Sequence, residues 1–363
     1  MELEALEKQI QQLRQQSGGI TDGPPRKFID FRTPAQCREY EPPPGCVLVG
    51  DFHVVKGAVF VIGGAPGVGK SRAGVALAVA GATGKPWFGF AVHRPFKTMI
   101  IQNENGALRL RSEFAEIHDA PVDDAILISP PPPYGMAFDN PDFCRQVREV
   151  MEQFGPDVVI VDPWNSVARD DKAKDYRDSF DALRQVIPAG DNGPALGIIA
   201  HTRKPKVDER ATGRGLINTL AGSYMLTSVP RAVFVLQPAS EEPEDDQVVF
   251  TCCKNNDGPL GKPSAWQRRN GLFVPATDFD WKTFNGPKES RVSLQESDLA
   301  QVFENGRRKL TIGVAAAELM ENTGAGRSAC YKALSLTERF GHRLARDGEF
   351  LRWLSTSAGK SPD

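Results

Sequence analysis

The feature that most constrains this chain is the sequence GGAPGVGKS at residues 63–71, which follows the apolar run AVFVI and opens a helical segment. Glycines in such a turn let backbone N–H groups point at phosphate oxygens, and the helix N-terminus adds a partial positive charge. The lysine can reach the β- and γ-phosphates, and the serine hydroxyl can ligate Mg²⁺. The pattern predicts a site for ATP and Mg²⁺ formed by Gly64, Ala65, Pro66, Gly67, Val68, Gly69, Lys70, Ser71 and Arg72.

A second ligand of Mg²⁺, a carboxylate, is expected at the end of another buried strand. The sequence PDVVIVDPWNS supplies Asp162 after four apolar residues, and Asp162 is predicted to hold Mg²⁺ together with Ser71. Many P-loop ATPases carry a glutamate directly after this aspartate, where it orients the attacking water. Here the next residue is Pro163, so a catalytic base must come from another strand.

The sequence TMIIQNENG offers that base, because it places Glu104 just after the apolar strand that follows the P-loop helix. Gly106 is expected to let the chain turn away from the phosphates into the next helix. A later run, ALGIIAH, ends in His201, where an imidazole can hydrogen-bond the γ-phosphate and report its loss. A solvated loop glutamate and an ordinary surface histidine are the alternative interpretations.

A basic loop follows His201, and among its glycines it carries Arg203, Lys204, Lys206, Arg210 and Arg214. Such a loop, directly after a γ-phosphate sensor, is typical of a contact with a nucleic-acid backbone that the nucleotide controls. The alternative is a charged loop that is only solvated. The whole chain gives no such signal, since its net charge is −2 and its pI about 6.3.

Apolar strand-like runs alternate with amphipathic segments from residue 51 onward, which predicts an α/β fold with a mostly parallel sheet covered on both faces. Strands are expected at 58–64, 98–103, 125–129, 157–162, 195–201, 231–237 and 248–253. Helices are expected at 70–82, 106–117, 141–154 and 175–188. The last two strands lie too close in sequence for a helix between them, so that edge is expected to be antiparallel.

Four regions are predicted along the chain: an N-terminal helix at 1–23, a proline-rich linker at 24–50, the ATPase domain at 51–286 and a small domain at 287–363. The N-terminal segment places Leu3, Leu6, Ile10 and Leu13 on one helical stripe, which packs on its own chain or tethers a neighbouring subunit.

The last region has the order helix, turn, helix, then strands around Asp347-Gly348, which predicts a winged-helix domain. On its second helix, Arg327 and Lys332 are expected to contact the phosphates of duplex DNA, and a protein-partner role is the alternative.

The cellular compartment is inferred from the cysteine pattern and from the lack of a membrane-spanning run or a signal peptide. Its six cysteines form no CxxC and no metal-ligand spacing, which favours reduced thiols. No apolar run is long enough to cross a membrane, and the start MELEALEK is not a signal peptide. We therefore expect a cytoplasmic protein with no membrane partner.

Taken together, the motifs resemble RecA-like AAA-family ATPases of the RepA type, the hexameric replicative helicases of plasmids and mobile elements, with DnaB-type helicases and KaiC/RadA-type ATPases as more distant relatives. The resemblance covers roughly residues 45–275, on GGAPGVGKS, IIQNENG, VVIVDP, IIAHTRKP, AGSYMLTSVPRAVFVL and CCKNNDGPLG. It implies a RecA-like P-loop NTPase core, ATP hydrolysis, a homo-oligomeric ring with six subunits, and single-stranded DNA in the ring channel.

The resemblance also implies roles for single residues. Lys70, Glu104, His201 and Arg231 are the implied phosphate ligand, base, sensor and arginine finger, the last acting in the neighbouring subunit's site. Lys254 matches the lysine of a KNRxGP-like motif on the nucleotide. Two departures weaken the match: Asn256 replaces the arginine of that motif, and Asn105 replaces an acidic residue found after the base in many relatives.

Four functions remain open from the sequence. The leading hypothesis is a DNA-dependent motor, which the resemblance implies to be a replicative helicase. The main alternative is a RecA- or KaiC-like ATPase switch or loader that binds DNA through the winged helix without unwinding it. A non-catalytic nucleotide-binding module is disfavoured by the complete set of catalytic residues. A small-molecule kinase is disfavoured by the position of Glu104 and by the KNNDGP sequence.

Overall fold

The structure is a computed structural model. It describes residues 31–118, 120–167, 173–204, 211–222, 224–240, 242, 245–269, 271–285, 294–325 and 327–354. The predicted N-terminal stripe lies outside these residues. The chain forms two compact units that divide between Pro275 and Ala276.

Every apolar run that predicts a strand is a strand of the larger unit. The strands of this unit are β1 Val47–Val49, β2 Val54–Val55, β3 Val59–Gly64, β4 Thr98–Gln102, β5 Ile126–Ile128, β6 Val158–Asp162, β7 Ala195–His201, β8 Ala232–Pro238, β9 Gln247–Asn255, β10 Ser264–Arg269 and β11 Leu272–Pro275. The hairpin β10–β11 was not predicted. The short pair β1–β2 is antiparallel and separate from the main sheet.

The helices of the larger unit lie mainly between parallel strands. They are α1 Pro34–Arg38, α2 Lys70–Thr83, α3 Ala107–Phe114, α4 Ala120–Ala125, α5 Pro141–Phe154, α6 Ala173–Val186 and α7 Met225–Ser228. Helix α5 has an asparagine N-cap, Asn140, whose side chain accepts from the N–H groups of Asp142 and Phe143. Within the described part of the chain, no helix is long and apolar enough to cross a membrane.

The main sheet has nine strands among the described residues, in the order β11-β10-β9-β8-β3-β7-β6-β4-β5. Strands β3 to β8 run parallel, whereas β9, β10 and β11 form an antiparallel edge. The α/β prediction with a mostly parallel sheet is confirmed, and so is the antiparallel far edge. This is the architecture of a RecA-like P-loop NTPase core.

Alternate side chains of the central strands enter two cores on opposite faces of the sheet. In β3, Phe60 and Ile62 pack into one core, with helix α2, while Val59 and Val61 pack into the other, with helices α5 and α6. A strand buried on both faces carries an unbroken apolar run. This explains why unbroken apolar runs in the sequence were enough to locate these strands.

The strand register brings the carboxyl ends of four strands to one edge of the sheet. Gly64 of β3 pairs with His201 of β7, and Gln102 of β4 pairs with Asp162 of β6. Loops at the carboxyl ends of parallel strands form the usual ligand crevice of open α/β sheets. The P-loop and the strand ends at Glu104, Asp162 and His201 therefore share this edge.

Among its described residues, the smaller unit contains three α-helices after residue 293 and a three-stranded antiparallel sheet of order β12-β14-β13. Its elements are α8 Trp281–Asn285, α9 Glu296–Val302, β12 Lys309–Thr311, α10 Ile312–Thr323, α11 Arg327–Ala333, β13 Leu344–Asp347 and β14 Phe350–Trp353. Its own core includes Leu299, Phe303, Leu319 and Leu351. The turn between β13 and β14 contains Gly348 at φ 64°, which favours glycine.

Two glycines of helix α2 should respond oppositely to alanine. A Cβ at Gly81 would lie 2.2 Å from the buried ring of Phe96, whereas one at Gly74 would make ordinary 3.6 Å contacts with Ile160 and Ile199. We expect Gly81→Ala to destabilise the larger unit by about 1–3 kcal/mol through overpacking. Gly74→Ala should be neutral or stabilise it by up to about 1 kcal/mol, because alanine favours helix. Urea unfolding of both variants checks this, and equal effects would contradict the packing described here.

Candidate active site

The P-loop connects β3 to α2, and its glycines meet two separate requirements. Gly67 and Gly69 adopt φ of 76° and 101°, and Gly69 is the N-cap residue of α2. These values favour glycine because other residues are strained there. At Gly64 the limit is space, since a Cβ would lie 2.7 Å from Val68 Cγ1 and 3.0 Å from the Leu236 carbonyl oxygen. The loop thus presents backbone N–H groups at a helix N-terminus, as an anion site requires.

Lys70 is buried at the start of α2, with 6% of its surface exposed. Its Nζ donates a hydrogen bond to the Ala65 carbonyl oxygen at 2.9 Å, which holds the ammonium against the loop. Burial lowers the pKa of Lys70, and the nearby carboxylates of Asp162 and Glu104 oppose that shift. The ammonium is therefore positioned beside both acidic groups predicted for this site.

Asp162 is also buried, and it fits a role in holding Mg²⁺. Burial raises its pKa to about 6, although a hydrogen bond from the Ser71 side chain and the charge of Lys70 lower it. Its Oδ1 has no hydrogen-bond partner among the described residues. A hydroxyl and a carboxylate oxygen are hard ligands of the kind that Mg²⁺ takes in nucleotide sites. Ser71 and Asp162 would hold the ion, which supplies charge neutralisation for the phosphates.

The loop that carries Glu104 is shaped by Gln102, a residue the sequence did not single out. The Gln102 side-chain oxygen accepts from the N–H groups of Glu104 and Asn105 at 3.0 and 2.7 Å, and its Nε2 donates to the carbonyl oxygens of Asn105 and Ser129. Gln102 is 1% exposed, so this turn is fixed from inside the sheet edge. Glu104 itself is exposed towards the cavity.

Gly106 does not act as expected. It is the N-cap residue of α3 with φ −65° and ψ 167°, an extended conformation that any residue adopts. A Cβ there would meet nothing within 4 Å. The turn away from the phosphates comes from the Gln102 hydrogen bonds instead of a glycine conformation.

His201 ends β7 beside the P-loop strand. Burial and the nearby Lys70 charge lower its pKa, against the opposing effect of Glu104, so the imidazole is neutral near pH 7. Its Nδ1 is buried and has no hydrogen-bond partner among the described residues. The next residue, Thr202, donates its N–H to the Gly64 carbonyl oxygen at 3.0 Å. The basic loop after His201 therefore begins in direct contact with the nucleotide-side strand.

One cavity of about 350 Å³ brings these groups together. It is lined by Pro66, Gly67, Gly69, Lys70, Ser71, Arg72, Glu104, Asn105, Arg109, Glu113, Asp162, Pro163, His201 and Arg268. Most of the predicted P-loop residues, both strand-end carboxylates and His201 thus meet in one space, whereas Gly64, Ala65 and Val68 do not line it. Arg109, Glu113 and Arg268 also line it, and sequence motifs did not identify them.

Arg268 reaches the P-loop from the antiparallel edge. Its Nη1 donates to the Gly67 carbonyl oxygen at 2.9 Å, its Nη2 donates to the Asp245 carbonyl oxygen at 3.2 Å, and it forms an ion pair with Asp246. In the same hairpin, Phe273 lies 3.3 Å from the position of a Cβ on Gly69. The β10–β11 hairpin therefore supports the P-loop from outside the parallel part of the sheet.

Arg231 and Lys254, which are also predicted to act at a nucleotide, lie outside the cavity of their own chain. Arg231 donates from Nε and Nη2 to the two carboxylate oxygens of Asp257 at 2.9 and 2.6 Å, and it is about half exposed. Lys254 donates from Nζ to the carbonyl oxygens of Thr227 and Ser228 at 2.8 and 3.2 Å. The role of Arg231 as an arginine finger in a neighbouring subunit's site and the role of Lys254 at the nucleotide stay predictions.

The basic loop is described only in part. Arg203 has its Nε bonded to the Asn218 carbonyl oxygen, while Lys204 and Arg214 are exposed. Lys206 and Arg210 lie outside the described residues. On the smaller unit, Arg327 and Lys332 are exposed on α11, and the Arg327 guanidinium lies 5.7 Å from the centre of the Tyr331 ring.

Comparison with known proteins agrees with this geometry. Residues 28–207, just under half of the chain, match the protein family described as AAA domain. The fold and the cavity define the class: a RecA-like P-loop NTPase core, and the family match supports a RecA-like ATPase.

Among solved structures, a KaiC-like protein from the hyperthermophilic archaeon Pyrococcus horikoshii is similar in part. It is 14% identical, with 65% of this chain and 99% of that chain covered, at a TM-score of 0.43. No curated protein sequence matches the chain.

The pKa of Asp162 gives a pH-dependent prediction. Because its folded value of about 6 exceeds the ordinary 3.8, the folded protein binds this proton more tightly than the unfolded chain does. The free energy of unfolding therefore falls as pH rises from about 3.8 to about 6 and the buried carboxylate ionises. In metal-free buffer, Asp162→Asn should stabilise the protein by up to about 3 kcal/mol at pH 8 and hardly at all at pH 4.

Asp157, just before the same strand, is the matched control for that change. Burial favours its protonated form, but the Arg94 guanidinium outweighs burial and lowers the pKa of Asp157. Asp157→Asn should therefore destabilise the protein at pH 8. Thermal unfolding at pH 4 and pH 8 measures both variants, and a loss of stability in Asp162→Asn at pH 8 would contradict the cost assigned to the buried carboxylate.

Proposed function

We propose that this chain is an ATP-hydrolysing motor that acts on DNA, a replicative helicase of the RepA type. The observation that carries ATP hydrolysis is the shared cavity, in which Glu104 faces the groups that would hold phosphate and Mg²⁺, namely Lys70, Ser71 and Asp162. A binding module would not need a strand-end carboxylate in addition to this set. Coupling to DNA is inferred from the basic loop that follows His201.

Among the carboxylates that line the cavity, Glu104 is the best candidate for the catalytic base. Asp162 carries the Ser71 hydrogen bond, and Glu113 accepts from Arg109. No described residue hydrogen-bonds the Glu104 carboxylate, and Pro163 offers no acid after Asp162. Glu104 can therefore accept the proton of a water that attacks the γ-phosphate in line.

Other cavity residues bind and sense the nucleotide in this proposal. The P-loop N–H groups and the Lys70 ammonium bind phosphate oxygens, and Ser71 and Asp162 hold Mg²⁺. The neutral His201 imidazole contacts the γ-phosphate. When that contact is lost, the change passes to the loop after Thr202, whose N–H bonds the P-loop strand at Gly64.

DNA contact and assembly form the next part of the proposal. We assign Lys204 and Arg214, with Arg203, Lys206 and Arg210 of the same loop, to the backbone of single-stranded DNA. The smaller unit, with its helix pair α10–α11 and hairpin β13–β14, is proposed as a winged helix that binds duplex DNA through Arg327 and Lys332. A hexameric ring would place Arg231 and Lys254 at the neighbour's nucleotide, which requires Arg231 to leave Asp257.

The test of this function is ATP turnover with and without single-stranded DNA, together with displacement of a forked duplex. We expect DNA to raise turnover several-fold and the fork to be unwound. Replacing Lys204 and Arg214 by alanine should abolish the stimulation and reduce the salt dependence of DNA binding.

The matched control removes two exposed positive charges elsewhere on the same unit, in Arg148→Ala/Lys262→Ala, and should behave as the wild type does. Turnover stimulated without displacement would overturn the helicase assignment and leave a DNA-regulated switch or loader. Turnover that DNA does not change would remove DNA from the proposal altogether.

A further inference from the structure

Helix α3 presents an ion pair to the cavity that the reaction outlined above does not use. The Arg109 Nη2 atom lies 3.3 Å from Glu113 Oε1, one helical turn away. Both residues line the cavity. The two ends of the pair differ in exposure, since the side chain of Arg109 is 53% exposed and that of Glu113 only 4%.

The buried carboxylate of Glu113 is expected to reduce the stability of the fold. A buried carboxylate is costly unless its oxygens are paired, yet Glu113 Oε2 has no hydrogen-bond partner in the described part of the chain. An apolar side chain would fill the same space at lower cost. Stability therefore does not explain the charge, and buried polar groups left half-paired call for a functional reason.

The end of α3 is held in place by the β10–β11 hairpin. A Cβ on Gly271, at φ 73°, would lie 2.3 Å from the Glu113 carbonyl oxygen, so the two backbones touch. The same hairpin bonds the P-loop through Arg268 and Gly67. Glu113 therefore has a fixed position relative to the phosphate-binding loop, which suits a residue that orients another.

Arg109 has fewer hydrogen-bond partners among the described residues than Arg268, and its guanidinium is more exposed than the buried Lys70 ammonium. Lys70 bonds the Ala65 carbonyl oxygen, and Arg268 is bound to the P-loop and Asp246. Among the residues that the structure describes, Glu113 is the only hydrogen-bond partner of Arg109. Burial and the nearby Arg109 charge both lower the pKa of Arg72, with Glu113 opposing. Crowded guanidinium groups of this kind favour an anion between them.

We propose that Arg109 binds the phosphate chain of the nucleoside triphosphate in the cavity of its own chain, and that Glu113 is the positioning residue that holds its guanidinium there. This inference rests on the proposed ATPase function. A guanidinium presents its donors in a planar fork that matches phosphate oxygens. Arg109 supplies this contact without a second subunit, in contrast to the contact expected from Arg231.

The experiment compares Arg109→Ala with Arg111→Ala, which removes the same charge from an exposed position on the same helix outside the cavity. Binding of MgATP by calorimetry and steady-state turnover are measured for both. Arg109→Ala should weaken binding about tenfold or more and lower kcat/KM on the order of 10²-fold, while Arg111→Ala stays within about twofold of the wild type. Equal values for the two variants would overturn the proposal.

A double-mutant cycle tests the positioning role of Glu113. Glu113→Gln keeps the shape but weakens the hold on Arg109, so kcat/KM should fall about tenfold in the wild-type background. In the Arg109→Ala background the same change should cost nothing further. A cost that is the same in both backgrounds would overturn the positioning role, and unchanged far-ultraviolet circular dichroism and thermal unfolding would show that the fold is intact.

The outcomes also separate this inference from the function on which it rests. If the wild type neither binds nor hydrolyses ATP, the proposed function and this inference both fall. If the wild type and Arg111→Ala turn over ATP normally and Arg109→Ala does so equally well, only the role of Arg109 is wrong.

Discussion

The parallel register of β3, β4, β6 and β7 is the constraint on which the site depends. Because Gly64 pairs with His201 and Gln102 pairs with Asp162, four strand ends reach the same level at one edge of the sheet. Each strand is buried on both faces, so its polar residues can appear only after the apolar run ends. The sheet thus places its polar side chains at this edge, and the residues of the loops beyond it determine which ligand and reaction the site can serve.

The electrostatics of that edge depend on burial, which raises the pKa of Asp162, and on contacts from parts of the chain that are distant in sequence. Asp162 is buried deeply enough that its pKa rises to about 6, and Lys70 is held beside it by the Ala65 carbonyl oxygen. The antiparallel hairpin then reaches across, with Arg268 on the P-loop and Gly271 against the end of α3. A substrate carrying several negative charges would enter a space whose cations are already arranged, at little cost of reorganisation.

Much of this architecture could be predicted from the sequence because the central strands and the P-loop depend on residues that are close together in the chain. Unbroken apolar runs marked the central strands, and the spacing of Gly64, Gly69, Lys70 and Ser71 marked the phosphate site. The missed features depend on tertiary contacts: nothing near Arg268 indicates that its strand returns to the P-loop, and Glu113 belongs to a helix whose sequence looks like a solvated amphipathic face. Assembly and DNA contact involve other molecules, so neither the sequence nor one chain can establish them.

In the proposed function, Glu104 supplies the base that Pro163 excludes from the usual position. The most direct measurement is ATP binding and turnover by Glu104→Gln, with Glu116→Gln, an exposed glutamate just after α3, as the matched control. We predict that Glu104→Gln binds MgATP with near-normal affinity and loses turnover by about 10²-fold or more, while the control is unaffected. Near-normal turnover by Glu104→Gln would contradict the role of Glu104 as the catalytic base.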